Sequence, residues 1–117
     1  MPMSRIHVSA QLVGLSAGLL LAAPSVSLAA DADAAQALAR QNNCFKCHAV
    51  DQKKAAVAWK EVAARMKGDK DAEAKLIKHL TTGPKVKFGD GTEMSHPVIK
   101  AKDEAQTKNL VDWILSL

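Results

Sequence analysis

Two cysteines and a histidine stand within five consecutive residues, Cys44-Phe45-Lys46-Cys47-His48, and the chain contains no other cysteine. A disulfide between thiols so close in sequence closes a very small loop and adds little stability. The pattern C-x-x-C-H is instead typical of covalent haem attachment through two thioethers, with the histidine as an axial iron ligand. We therefore predict one haem c, attached through Cys44 and Cys47, with His48 as the proximal ligand.

The first thirty residues have the composition of an export signal. A weakly basic head is followed by an apolar run from residue 8, which Pro24 ends before the small residues at 27–30. We predict a signal peptide over residues 1–29 and a single mature domain over residues 30–117, located in the periplasm. The alternative is an uncleaved membrane anchor, for which the apolar stretch is marginal in length.

Two other uses of a cysteine pair fit the mature region less well than haem attachment. A thioredoxin-like motif belongs to a βαβ unit, and no strand pattern precedes Cys44. A structural zinc site needs four ligands, and only His79 and His96 remain to join the cysteines, at spacings unlike the common zinc patterns.

The spacing of apolar residues predicts an all-α domain of about four helices. One example is the series Trp59, Val62, Ala63 and Met66, which recurs at the i, i+3, i+4, i+7 interval of a single buried face. The predicted helices cover residues 34–41, 59–66, about 70–82 and about 103–117. Residues 85–101, which contain two glycines and a proline, are predicted to form an irregular loop.

From Cys44 onward the sequence resembles the small bacterial class I cytochromes c, especially the cytochrome c-551 type. The residues that carry the likeness are Cys44–His48, Ala49-Val50-Asp51, Lys53, Trp59–Ala63, Asp103–Gln106 and Trp113–Leu115. The resemblance implies the class I cytochrome c fold, with the helices around one covalently bound haem. It also implies an electron-carrying function without enzymatic activity.

One position departs from the pattern of that family. The family usually has Gly-Pro shortly before an aromatic-Lys pair, and the proline carbonyl accepts a hydrogen bond from the haem-ligating histidine. Here the two positions are Ala56 and Val57. Val57 keeps the carbonyl but does not fix its own φ as proline would. We expect the Val57 carbonyl to orient His48 from behind.

The sequence leaves two candidates for the distal axial ligand. The family ligand is usually a methionine followed by proline in the loop before the last helix. Met94 lies in that loop and has the expected side chain, so it is the first candidate. His96 is the alternative, because it is the residue followed by proline, and it lies 17 residues before Trp113 whereas Met94 lies 19 before it. Thioether and imidazole are both established haem ligands, and a second imidazole lowers the reduction potential.

The charge of the domain bears on its partners. All but Arg5 of the 16 lysines and arginines lie in the predicted mature domain, against 12 acidic residues, which gives a net charge of +3. This charge is too small to indicate nucleic acid, but it is compatible with docking onto acidic redox proteins. Candidates for a basic rim, or for an ordinary solvated surface, are Lys46, Lys53, Lys54, Lys85 and Lys87.

These features together predict a monomeric periplasmic carrier of single electrons, with redox proteins as donor and acceptor and no stable membrane insertion after signal cleavage. Two alternatives remain open: a haem protein whose open or labile distal site binds a small ligand, and a haem subunit of a larger redox enzyme. We also predict that His79 lies on the surface at the end of a helix, and that Trp59 and Phe88 pack against the haem.

Overall fold

The structure is a computed structural model that describes residue 23 and residues 28–117. This part of the chain contains four α-helices, α1 (Ala32–Gln41), α2 (Trp59–Met66), α3 (Ala72–Thr82) and α4 (Glu104–Leu115). The predicted all-α class is confirmed. None of the described helices has the length and apolar character needed to cross a membrane. The predicted signal peptide falls almost entirely outside the described residues.

The N-terminus of α1 is held by its own cap and by α4. The side chain of Asp31 accepts a hydrogen bond from the Ala34 N–H (3.0 Å), one of the donors that a helix end leaves unpaired. The Asp31 N–H donates to Asn109 Oδ1 (2.8 Å), and Asn109 Nδ2 donates back to the Asp31 carbonyl (2.9 Å). These reciprocal bonds join residues 78 positions apart and set how α1 crosses α4.

The core lies where α1, α2 and α4 meet. Ala35 and Ala39 on α1 have no exposed surface, and their small side chains allow α4 to approach closely. Trp59 at the start of α2 and Trp113 on α4 are both almost fully buried, and their rings meet edge to face with centroids 5.5 Å apart. The helix crossing and the two tryptophans therefore form one continuous core.

The segment predicted as an irregular loop contains an antiparallel β-hairpin of strands β1 (Lys85–Lys87) and β2 (Glu93–Ser95). The Phe88 N–H donates to the Thr92 carbonyl (2.8 Å), and Asp90 Oδ1 accepts from the Thr92 N–H (2.9 Å). Gly91 supplies the positive φ of 88° that the turn requires. Asp-Gly is a hairpin-turn signal, but strands of three residues are too short to show a clear alternation.

Candidate haem-binding site

The C-x-x-C-H segment forms one compact turn after α1. Asn43 takes a left-handed conformation with φ 56°, and residues 44–46 form a 3₁₀ turn. The N–H groups of Cys47 and His48 both donate to the Cys44 carbonyl, at 3.2 and 2.9 Å. Both thiols are free and half-buried. Burial raises the pKa of the Cys44 thiol, so this group is protonated at neutral pH.

The imidazole of His48 is held from two sides. Its Nδ1 lies 3.4 Å from the Val57 carbonyl oxygen, which is at the long end of hydrogen-bond distances. The opposite contact is a stacking of the ring on Trp59, with centroids 5.3 Å apart and planes 20° apart. A hydrogen on Nδ1 leaves Nε2 as the free lone pair. Burial lowers the pKa of His48, which favours the neutral imidazole that metals bind.

Trp59 connects the attachment turn to the rest of the domain. Its backbone N–H donates to the Ala49 carbonyl (3.0 Å). The chain that follows His48 therefore supplies an acceptor for one of the unpaired N–H groups in the first turn of α2. Its ring contacts Phe45 edge to face at 5.2 Å between centroids, in addition to His48 and Trp113. Trp59 therefore packs directly against the ring of His48.

Two further histidines lie near the His48 ring. The centroid of His96 is 6.2 Å from that of His48, and 4.5 Å from that of His79, which it meets edge to face. His79 is half-buried, and this burial lowers its pKa. His79 lies in the last turn of α3 and is partly exposed, and the chain after α3 folds back beside it so that His96 contacts its ring.

The chain that folds back is residues 94–101, here called the distal loop. Its other ligand candidate, Met94, lies in β2 opposite Val86, and 42% of its side-chain surface is exposed. Phe88, predicted to pack against the haem, is half-buried at the hairpin turn. It lines a groove with residues 53–55, Gly89, Asp90 and Thr92.

The distal loop is fixed to the end of α3 by backbone contacts. Gly83 ends the helix in a left-handed conformation (φ 58°), and a Cβ at this position would lie 2.6 Å from the His96 carbonyl oxygen. The His96 N–H donates to the Pro84 carbonyl (2.8 Å), and the Ile99 N–H donates to the Leu80 carbonyl (2.8 Å). These contacts place His96 beside α3.

Asn42, just after α1, holds the other end of the distal loop. Its Oδ1 accepts from the Lys100 N–H (2.7 Å), and its Nδ2 donates to the carbonyls of Lys100 and Leu38 (both 3.0 Å). Gly83 is the helix-ending glycine that the sequence predicts after the third helix. The role of Asn42 could not be predicted, because its partner lies 58 residues away and leaves no local signature.

The arrangement fits a haem better than a zinc ion. Within residues 28–117, no group of three or more histidine, cysteine, aspartate or glutamate side chains is close enough to bind one metal ion. The site offers instead two thiols in one turn, a neutral imidazole with Nε2 free, and a loop carrying further ligand types opposite it. Thioether formation and axial ligation need this combination.

A model of the cytochrome c family matches residues 32–117. The chain belongs to the cytochrome c family. Its members bind one covalently attached haem c and act as electron carriers rather than enzymes. The resemblance to small class I cytochromes c noted in the sequence is thereby confirmed.

Comparison with individual cytochromes supports the same family. The chain is 36% identical to cytochrome c-551 of Pseudomonas aeruginosa over 69% of this chain and 74% of that protein. It is 33% identical to cytochrome c-552 of Nitrosomonas europaea over 82% and 90% of the two chains. The crystal structure of the class 1 cytochrome MtoD from Sideroxydans lithotrophicus ES-1 is similar with a TM-score of 0.72 and 59% identity. That match covers 75% of this chain and 97% of MtoD.

Proposed function

We propose that this cytochrome is a monohaem electron carrier of the periplasm, with its haem joined to Cys44 and Cys47 and with His48 as the proximal ligand. When bound, the haem supplies an iron that gains or loses one electron at a time. The observation that carries the proposal is the placement of His48. Its ring lies between the Val57 carbonyl and Trp59, with Nε2 unengaged, in the same turn as two free thiols.

The residues around the site contribute rigidity. Trp59 is 4% exposed and contacts three other aromatic rings, so the imidazole of His48 has little freedom to rotate. The distal loop that carries Met94 and His96 is anchored at Pro84 and at Asn42. A site whose ligands keep their positions in both oxidation states suits electron transfer, because little rearrangement accompanies the change in charge.

The proposed export rests on the sequence of residues 1–29, and the proposed partners rest on the exposed lysines. Residues 1–29 have the pattern of a cleaved signal peptide. The five lysines of the candidate basic rim are all exposed, and Lys54 donates to the Phe45 carbonyl within the attachment motif. Basic groups this close to the motif favour acidic redox proteins as electron donor and acceptor.

The test is covalent haem retention by protein expressed with export and haem-attachment machinery. Haem staining of a denaturing gel should label the wild type, and the double variant Cys44→Ala/Cys47→Ala should lose the stain. A Met66→Leu variant, changed away from the motif, is the matched control and should keep it. Mass spectrometry should give a chain that begins at Ala30. Stain that persists in the double variant contradicts the attachment, and a mass that includes residues 1–29 contradicts signal cleavage.

A further inference from the structure

The three histidines of the described chain form a connected series, His48 to His96 to His79, although only His48 belongs to the attachment motif. We propose that His96 is the sixth axial ligand and that His79 is the residue that positions its ring. This proposal rests on the proposed haem-binding function. It differs from the first expectation of the sequence, which was Met94.

The separation of the two rings is the first argument. Imidazole nitrogens bind metals at about 2.0–2.1 Å, and a ring centre lies roughly 1.2 Å beyond the nitrogen, so two imidazoles on opposite faces of one metal have centroids about 6.4–6.6 Å apart. The observed distance between the centroids of His48 and His96 is 6.2 Å. The protein thus already holds this pair close to the spacing of two axial ligands.

The second argument is that both rings leave the nitrogen Nε2 free to bind a metal. His48 directs Nδ1 to the Val57 carbonyl, and His96 directs Nδ1 to the Pro97 carbonyl at 2.9 Å. A backbone carbonyl at Nδ1 fixes the tautomer of a metal-binding histidine and leaves Nε2 as the ligand atom. The same arrangement occurs on both rings, as a pair of Nε2 ligands requires.

The backbone around His96 is the third argument. The Gly83 backbone packs against the His96 carbonyl oxygen, and the Pro84 carbonyl accepts the His96 N–H. Met94 lies two residues earlier, within β2, with its side chain 42% exposed. The backbone of His96 is therefore held directly against the chain that leaves α3, whereas Met94 has an exposed side chain.

His79 controls the rotation of the His96 ring in this arrangement. It projects from the last turns of α3 and meets His96 edge to face, with centroids 4.5 Å apart and planes 61° apart. Edge-to-face contact of this kind favours one ring orientation over others. We assign His79 a positioning role, since the geometry gives it a contact with His96 and none of its own with His48.

The ligand assignment is tested on the ferric holoprotein by optical spectroscopy into the far red, where a methionine ligand gives a weak sulfur-to-iron charge-transfer band. The wild type and Met94→Leu should both be low-spin and lack this band. His96→Gly should become high-spin, and added imidazole should restore the low-spin spectrum. A band that is present in the wild type and lost in Met94→Leu overturns the assignment, with Met94 as the ligand. Absence of covalent haem from the wild type is a different result, which defeats the proposed function itself.

The positioning role has its own readout. The EPR g-values of a ferric bis-imidazole site depend on the angle between the two ring planes. His79→Ala should change these values, and His79→Phe, which keeps a ring at the edge of His96, should retain most of the wild-type signal. Equal g-values in wild type, His79→Ala and His79→Phe overturn the role of His79. A shift in both variants that tracks only a lower melting temperature also overturns it, because that pattern is structural.

Discussion

Gly83 and His96 are in backbone contact, so close that a Cβ on Gly83 would lie 2.6 Å from the His96 carbonyl oxygen and 2.9 Å from a methyl carbon of Val98. The distal loop reaches its position only because residue 83 has no side chain. The left-handed conformation of Gly83 then directs the chain from α3 into the hairpin.

We predict that Gly83→Ala destabilises the holoprotein and disturbs its ligand spectrum. Gly91→Ala is the matched control, because Gly91 also has a positive φ, 88°, but has open space where the Cβ would stand. An alanine in the left-handed region costs about 1–2 kcal/mol. Gly91→Ala should lose about that much unfolding free energy, and Gly83→Ala distinctly more, in denaturant titrations. Equal losses in the two variants would show that the distal loop moves away at no cost.

Removal of the Asn42 side chain should loosen the distal loop. Asn42→Ala deletes three hydrogen bonds, two of them to the backbone of Lys100. At about 0.5–1.5 kcal/mol each, the three bonds contribute about 1.5–4.5 kcal/mol. We expect a loss in that range by chemical denaturation, with faster amide exchange at Lys100. Gln41→Ala, an exposed neighbour at the end of α1, should be nearly neutral. An unchanged exchange rate at Lys100 would contradict the anchoring role.

The stability of the protein in acid should depend on Asp69. A hydrogen bond from Lys75 (2.6 Å), followed by one from the Asp71 N–H (2.9 Å), lowers the pKa of this carboxyl. Its contribution is therefore present above the unfolded-state pKa of about 3.9 and is lost as the pH falls through the lower folded-state value. Asp69→Asn should reduce stability at neutral pH and flatten the decline below about pH 4. Asp51→Asn, at an exposed position, removes the same charge and should reduce stability at neutral pH less than Asp69→Asn does.

Charge reversal near the attachment motif should slow reaction with an anionic oxidant. Lys53 lies beside Lys54 in the groove next to the hairpin turn. Lys53→Glu should lower the second-order rate with hexacyanoferrate(III) by a few-fold at low ionic strength, and added salt should remove the difference. Lys70→Glu, between α2 and α3, carries the same change in net charge and should have a smaller effect. Equal effects of the two variants would indicate that only total charge matters.

Local signals in the sequence predicted most helix starts and identified the attachment motif as the candidate site. Asp31 and Asp103 both cap helices through their side chains, accepting from the N–H groups of Ala34 and Gln106. The attachment motif is contiguous, so its turn requires no knowledge of the rest of the fold. The carbonyl of Val57 lies near His48 as the family pattern implied, even without the proline.

The part of the site formed by α3 and the distal loop was harder to predict, because its contacts join residues that are far apart in the sequence. His79 and His96 meet only after Gly83 reverses the chain, and Asn42 reaches Lys100 across most of the domain. The hairpin between them has strands of three residues. Neither periodicity nor local propensity carries this information, so the sequence alone left both Met94 and His96 as candidates for the distal ligand.

The contacts of Trp59 have a consequence for biosynthesis. In the folded domain Trp59 lies between Trp113 and the attachment turn, and the half-buried Cys44 thiol has a raised pKa. Thiol chemistry proceeds through the thiolate, so folding makes Cys44 less reactive. We therefore expect an unfolded chain to accept its haem more readily than one in which the C-terminal helix has already closed on Trp59.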